Sequence, residues 1–281
     1  MSLSLKSTVT LRSGCLIPLF GLGMDADDAK PSVVAALNAG YRLIDTAQQY
    51  GNEKEVGEGI KEWIEGNGEK ARPYVVTKLA SDVDASNVRA SLIKSLSLLQ
   101  LDKVDLFLIH SPVGGCIVDK WRAMLAVRDS GLCSAVGVSN FGVAQLRGLK
   151  EAGLEIPEVN QIELHVWHQQ KDTTKWCRDN GIQVMGYCPL ARMKQMGTGD
   201  VKVLADELGV SEPALAIRYL LECGYVTIPK STNPARIAKN ATIVDMPRLT
   251  GENMERLGRA DEGFKASNSS KNMDLPWDDV K

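Results

Sequence analysis

Short apolar runs alternate with helix-patterned stretches along most of this chain, and no other feature restricts its fold as much. The runs lie at 18–23, 43–44, 74–76, 104–109, 135–138, 159–164, 183–187 and 225–228. They read as strands buried on both faces of a parallel sheet. Between them the pattern predicts helices at 30–39, 53–64, 84–99, 119–128, 143–152, 169–179 and 201–221. The last of these breaks at Gly209, where Ser211, Glu212 and Pro213 make a fresh helix start.

An open doubly wound sheet and a closed barrel both fit this alternation. Glycine spacing separates them. Gly21-Leu22-Gly23 continues with Met24-Asp25-Ala26, so the dinucleotide fingerprint G-x-G-x-x-G is missing after the first strand. The expected fold is therefore an α/β protein of the (β/α)8 TIM-barrel type, for which 281 residues is an ordinary length. Val9 and Leu11 alternate ahead of Ser13-Gly14 and predict an N-terminal hairpin that closes the barrel floor. One domain spanning 1–281 is expected, with only the polar tail 263–281 loosely held.

Composition removes several partner classes. With 33 basic and 35 acidic residues the net charge is −2, which gives no electrostatic footprint for nucleic acid or an anionic membrane. Cys15, Cys116, Cys133, Cys177, Cys188 and Cys223 are scattered without a C-x-x-C pair, so neither a metal site nor a disulfide framework is expected. The apolar stretch 15–24 is too short to span a bilayer, and no signal peptide is visible. A cytoplasmic monomer is the resulting expectation.

Active sites of such barrels gather at the carboxyl ends of the strands. Polar or ionisable residues stand there one strand after another: Asp45, Lys78, His110, Ser139-Asn140, Gln161 and Glu163, Tyr187, and Lys230-Ser231. Each has an ordinary structural alternative, a helix cap for Asp45 or a satisfied core position for His110. Together they are harder to dismiss, because a charge buried at a strand end is costly unless paired or used. Asp45, Tyr50, Lys78 and His110 suit the reduction of a carbonyl. The alkoxide left by hydride addition needs an acid, and a phenol is a weak one. A neighbouring ammonium would lower the Tyr50 pKa, a buried carboxylate would hold that ammonium, and His110 would orient the carbonyl oxygen.

At these residues the sequence resembles the aldo-keto reductase superfamily, from about Leu11 to about Asn240. Four blocks carry the resemblance. They are Gly40 to Ala47 with Tyr50 and Asn52-Glu53; Leu101-Asp102 through His110 and Pro112; Gly137 to Phe141 with Val159 to Glu163 and Tyr187 to Leu190; and Ile228 to Ser231 with Pro234, Arg236, Ile237 and Asn240. The resemblance implies an oxidoreductase that reduces a small aldehyde or ketone with NADPH. Tyr50 would be the proton donor, tuned by Lys78 and Asp45, with His110 on the carbonyl. Ser139, Asn140 and Gln161 would hold the nicotinamide carboxamide, Tyr187 would stack on its ring, and Pro189 and Leu190 would continue the cofactor wall. Lys230 and Arg236 would hold the adenosine 2′-phosphate, with Ser231 and Asn240 completing that end. Two cations there favour NADPH over NADH.

Besides His110, the substrate-side candidates are Met24 and Ser111; Met24-Asp25, Ala80 and Ser111 stand where the family often has aromatic residues. A roomier, more polar pocket follows as an expectation. Trp167 and Trp277 could supply an aromatic wall or simply pack. Two rivals stand beside the reductase. One is a slow-turnover regulatory or structural barrel that keeps the cofactor pocket. The other is a Schiff-base lyase using Lys78 as nucleophile, which leaves Lys230, Arg236 and Ser139-Asn140 without a role.

Overall fold

The computed structural model describes residues 3–69 and 72–281. A hairpin opens the chain: β1 (Thr8–Thr10) pairs antiparallel with β2 (Leu16–Pro18), turning through Gly14 at φ 87°. Eight parallel strands follow, adjacent in space in chain order. They are β3 (Leu22–Gly23), β4 (Leu43–Asp45), β5 (Tyr74–Leu79), β6 (Val104–Ile109), β7 (Cys133–Ser139), β8 (Val159–Glu163), β9 (Gln183–Tyr187) and β10 (Val226–Ile228). Last and first strands also meet. Thr227 N–H donates to Leu19 O at 2.9 Å, and Gly21 N–H donates to Thr227 O at 3.1 Å. Those bonds close the sheet into the expected barrel.

Helices occupy each crossover: α1 (Ala29–Asn38), α2 (Glu53–Asn67), α3 (Val88–Leu99), α4 (Ile117–Asp129), α5 (Val143–Glu151), α6 (Lys171–Asp179), then α7 (Gly199–Glu207) and α8 (Glu212–Glu222). The predicted break lies between the last two, and the Ser211 hydroxyl accepts from Ala214 N–H at the start of α8. Three helices lie beyond those the periodicity predicts: α9 (Pro234–Ala241), α10 (Gly251–Arg259) and the short α11 (Trp277–Val280).

The barrel interior explains why chemistry sits at one end only. Residues two apart share a face of a strand. Leu43, Val76, Leu106 and Leu108, Ala135, Val159, Met185, and Val226 and Ile228 form one buried cluster with Leu11 and Ile17 of the hairpin region. The floor is therefore plugged by apolar side chains. Two residues further up the same faces stand Asp45, Lys78, His110, Gln161, Tyr187 and Lys230. Gly137 belongs to this face too. A Cβ there would come within 2.5 Å of Val159 O and 2.8 Å of Leu108 Cδ2, so the filled interior leaves no room for a side chain.

The tail departs from expectation. Its polar sequence reads as loosely held, yet Ala266, Ser267, Ser270, Met273 and Val280 are buried. The Glu163 carboxylate accepts from Ala266 N–H at 2.5 Å and Ser267 N–H at 3.0 Å. Gln145 donates to Leu275 O, and Trp277 lies against Gly148 of α5. Backbone amides held by Glu163 and a few apolar anchors, Met273, Trp277 and Val280, make this attachment, which a mostly polar composition hides.

Candidate active site

Lys78 is the centre of the site. It projects inward from β5, is fully buried, and satisfies its ammonium inside the chain. Nζ donates to Asp45 Oδ1 at 2.6 Å, to Thr46 O at 2.7 Å and, more weakly, to Tyr50 OH at 3.4 Å. The other Asp45 oxygen accepts from Gln161 Nε2 at 2.7 Å. Burial pushes Asp45 up and Lys78 down, and their mutual pairing opposes both. All three Lys78 contacts use the ammonium form. A Schiff-base nucleophile needs a free amine lone pair in reach of solvent, and this nitrogen has neither.

Tyr50 ends a 3-10 turn (Gln48–Tyr50) that leads into α2. That turn is fixed from several sides. Gln48 Oε1 accepts from Ala80 N–H at 2.9 Å, and its Nε2 donates to Ser95 Oγ at 2.9 Å. Thr46 Oγ1 donates to Asn52 Oδ1 at 2.6 Å, and Glu53 accepts from Thr77 Oγ1 at 2.6 Å. The ammonium of Lys78 lies 4.9 Å from the centre of the Tyr50 ring, and the His110 ring meets Tyr50 edge-on at 5.5 Å.

Here the structure corrects the sequence reading. Lys78 was expected to acidify Tyr50; instead burial, followed by the Asp45 charge, raises the phenol well above its ordinary value. Tyr50 is thus fully protonated at neutral pH, the form that donates. Burial, with Lys78 second, lowers His110 to about 3, so its imidazole is neutral. His110 Nδ1 is buried without a partner among the described residues.

A cavity of about 600 Å³ opens above these groups. Asp45, Tyr50 and His110 line its chemical end, with Met24 beside them. Ser139, Asn140, Gln161, Tyr187, Pro189 and Leu190 line it further along, and Lys230 stands at its rim. The polar members are already interconnected. Ser139 Oγ donates to Gln161 O at 2.9 Å, and Asn140 Nδ2 donates to His110 O at 3.0 Å. Tyr187 OH donates to Asn140 Oδ1 at 2.7 Å, which fixes the aromatic ring. Asn140 is left-handed at φ 61°, a conformation that asparagine tolerates better than most residues.

Five predicted residues do not line this cavity: Lys78, which is fully buried and reaches it only through Asp45 and Tyr50, and four others. Ser231 is buried and caps its own turn, accepting from Asn233 N–H at 3.2 Å. Arg236 is exposed in the first turn of α9, and Asn240 lies in its last. Ser111 is buried and accepts from Asn272 Nδ2 at 2.9 Å, so the structure turns it to the tail and away from the substrate space. Trp167 is buried in the core around the barrel and Trp277 packs on α5; neither forms an aromatic wall. Conversely, Asp25, Gln49, Arg192, Met193, Ser267 and Ser269 line the cavity without having been singled out as site residues. Arg192 and Met193 sit in a strained stretch, left-handed at Cys188, Ala191, Arg192 and Met193. Among the described residues no group of His, Cys, Asp and Glu could hold a metal, and no helix is long and apolar enough to cross a membrane.

With this geometry in view, the profile of the Aldo/keto reductase family matches residues 19–262. The chain belongs to the aldo/keto reductase family. Methylglyoxal reductase DkgA of Salmonella typhimurium is 36% identical, over 91% of this chain and 94% of its own length. Glyoxal reductase of Bacillus subtilis is 38% identical, over 92% and 94% respectively. The crystal structure of a Bombyx mori aldo-keto reductase in complex with NADP matches with a TM-score of 0.87 and 31% identity. That match covers 96% of this chain and 97% of the silkworm protein.

Proposed function

We propose that this aldo/keto reductase uses NADPH to reduce a small aldehyde or ketone, with Tyr50 as the proton donor. The observation that carries the reading is the bonded series from Gln161 through Asp45 and Lys78 to Tyr50, ending beside a neutral His110 at one cavity. The cavity also suits the cofactor. Gln161 Oε1 accepts no bond within the described chain, as a carboxamide N–H2 would require, while the Tyr187 ring is held by Asn140. Lys230 and Arg236 supply exposed cations toward the adenosine end.

Bound NADPH would supply the hydride. His110 donates a hydrogen bond to the substrate oxygen and sets its direction, which a neutral imidazole does without adding charge to a buried site. Tyr50 then gives its proton to that oxygen as negative charge develops. An alkoxide is a far stronger base than a phenolate, so a raised Tyr50 pKa does not stop the transfer. Lys78 stabilises the phenolate left behind, and Asp45 keeps Lys78 aimed at it. A monomer in the cytoplasm is the setting we propose.

The test follows NADPH consumption by the full-length protein with glyoxal, methylglyoxal and simple aldehydes, and NADPH binding by fluorescence. Turnover with NADPH well above that with NADH supports the reading. Tight NADPH binding with no turnover on any carbonyl would favour the slow regulatory barrel, and absence of binding would refute the cofactor assignment.

A further inference from the structure

One charged side chain in the cavity has no part in the reaction just described. Asp25 stands between Met24 and Ala26, and Asn52 Nδ2 donates to the carbonyls of both neighbours, at 2.6 and 2.8 Å. Met24 N–H donates to Asp45 O at 2.8 Å, and Thr46 Oγ1 fixes Asn52 at 2.6 Å. The backbone is thereby pinned on both sides of Asp25, to the same segment that carries Asp45 and Tyr50. The Asp25 side chain is exposed and lines the cavity with Tyr50 and His110. Among the described residues it makes no hydrogen bond or ion pair.

Its charge is felt at the reacting groups. After burial and the Asp45 charge, Asp25 is the next cause that raises Tyr50; it also adds to the rise of Asp45 and opposes the fall of Lys78. Two cations line the cavity as well, Arg192 and Lys230. On the reductase reading the 2′-phosphate of the cofactor answers Lys230, while the Arg192 guanidinium is engaged by the Cys188 side chain. Asp25 is then the uncompensated charge that an incoming substrate meets beside Tyr50.

We infer that Asp25 sets the charge specificity of the site, admitting neutral hydroxylated or cationic carbonyl compounds and turning away those that carry a carboxylate, such as 2-oxo acids. The inference rests on the proposed reductase activity and names its substrate class. Two like charges inside a partly enclosed cavity repel much more strongly than in bulk water, enough for tenfold discrimination or more.

Three aldehydes of similar shape test it: para-nitrobenzaldehyde, para-carboxybenzaldehyde and para-(trimethylammonio)benzaldehyde. kcat/KM is measured for each with the full chain and NADPH, in the parent, Asp25→Asn and Asp25→Lys. Comparing ratios between proteins cancels the intrinsic reactivity of each aldehyde. The cation-to-anion ratio is expected to fall about tenfold in Asp25→Asn and further in Asp25→Lys, with the change carried mainly by KM. An active parent whose ratio stays within about twofold in both variants would overturn the role of Asp25 and leave the reductase reading standing. Preference of the parent for the carboxylate, lost in Arg192→Gln, would also overturn it, by assigning substrate selection to Arg192. A parent inactive on all three aldehydes would overturn the reductase reading, and this inference with it.

Discussion

The two ends of the cavity are built on opposite principles. At the chemical end Lys78 and Asp45 are buried, and every charged atom is bonded within the chain at 2.6 to 2.7 Å. At the other end Lys230 lines the cavity and Arg236 lies outside it on α9; both are exposed, and neither side chain makes an ion pair or hydrogen bond among the described residues. The difference follows from solvation. A buried ammonium without partners would lose its charge or destabilise the fold, so the chain must complete that end by itself. Water satisfies an exposed cation until a ligand replaces it. The end around Lys78 is therefore organised within the chain, and the end around Lys230 leaves its cations to solvent or to a ligand.

The largest expected effect breaks the organised end. Lys78→Met is expected to lower kcat by about 10²–10⁴, by removing the group that stabilises the phenolate, while NADPH binding by fluorescence holds. Retained kcat would mean that Lys78 is structural only. Next comes the stability of the pair. Asp45→Asn leaves a buried ammonium uncompensated and is expected to cost about 3–5 kcal/mol in urea unfolding. Adding Lys78→Met to Asp45→Asn should return part of that loss, and a purely additive double variant would contradict a coupled pair.

The open end should respond differently. Lys230→Ala combined with Arg236→Ala is expected to weaken NADPH about 10- to 100-fold and NADH much less, with kcat at saturating cofactor nearly unchanged. A proportionate loss for both cofactors would remove the 2′-phosphate from the account.

A pH dependence probes the organised end from another side. His110 binds its proton at about 3 in the folded chain and near its ordinary 6.5 when unfolded. Between those values the unfolded state holds more protons, so this residue's share of stability is full above about 6.5 and declines as pH falls. His110→Gln should flatten the acid side of a plot of urea midpoint against pH. An unchanged slope would place the His110 ring in a wetter setting than the cavity suggests.

Sequence made the organised end legible for the reason that makes it costly. Asp45, Lys78 and His110 are polar residues terminating apolar strands, and buried charges in such places need an explanation that the chain itself provides. The barrel was readable because each strand alternates with a helix of the right length. What spacing does not encode is depth and long-range contact. The direction of the Tyr50 pKa depends on how deeply the ring is buried, and no motif reports that. Ser267 and Ser269 reach the cavity because Glu163 grips the backbone amides of Ala266 and Ser267, about a hundred residues along the chain. Ser111 looked like a substrate contact beside His110, but the same tail claims its hydroxyl through Asn272.

Single-turnover kinetics of Tyr50→Phe test the central claim most directly: enzyme preloaded with NADPH is mixed with a reducible aldehyde, and nucleotide oxidation is followed against the parent. The phenol leaves and the bonded Lys78–Asp45 pair stays, so the account predicts unchanged NADPH affinity with hydride transfer slowed at least about a hundredfold. Transfer within a few-fold of the parent would contradict it, because the proton would then come from somewhere other than Tyr50.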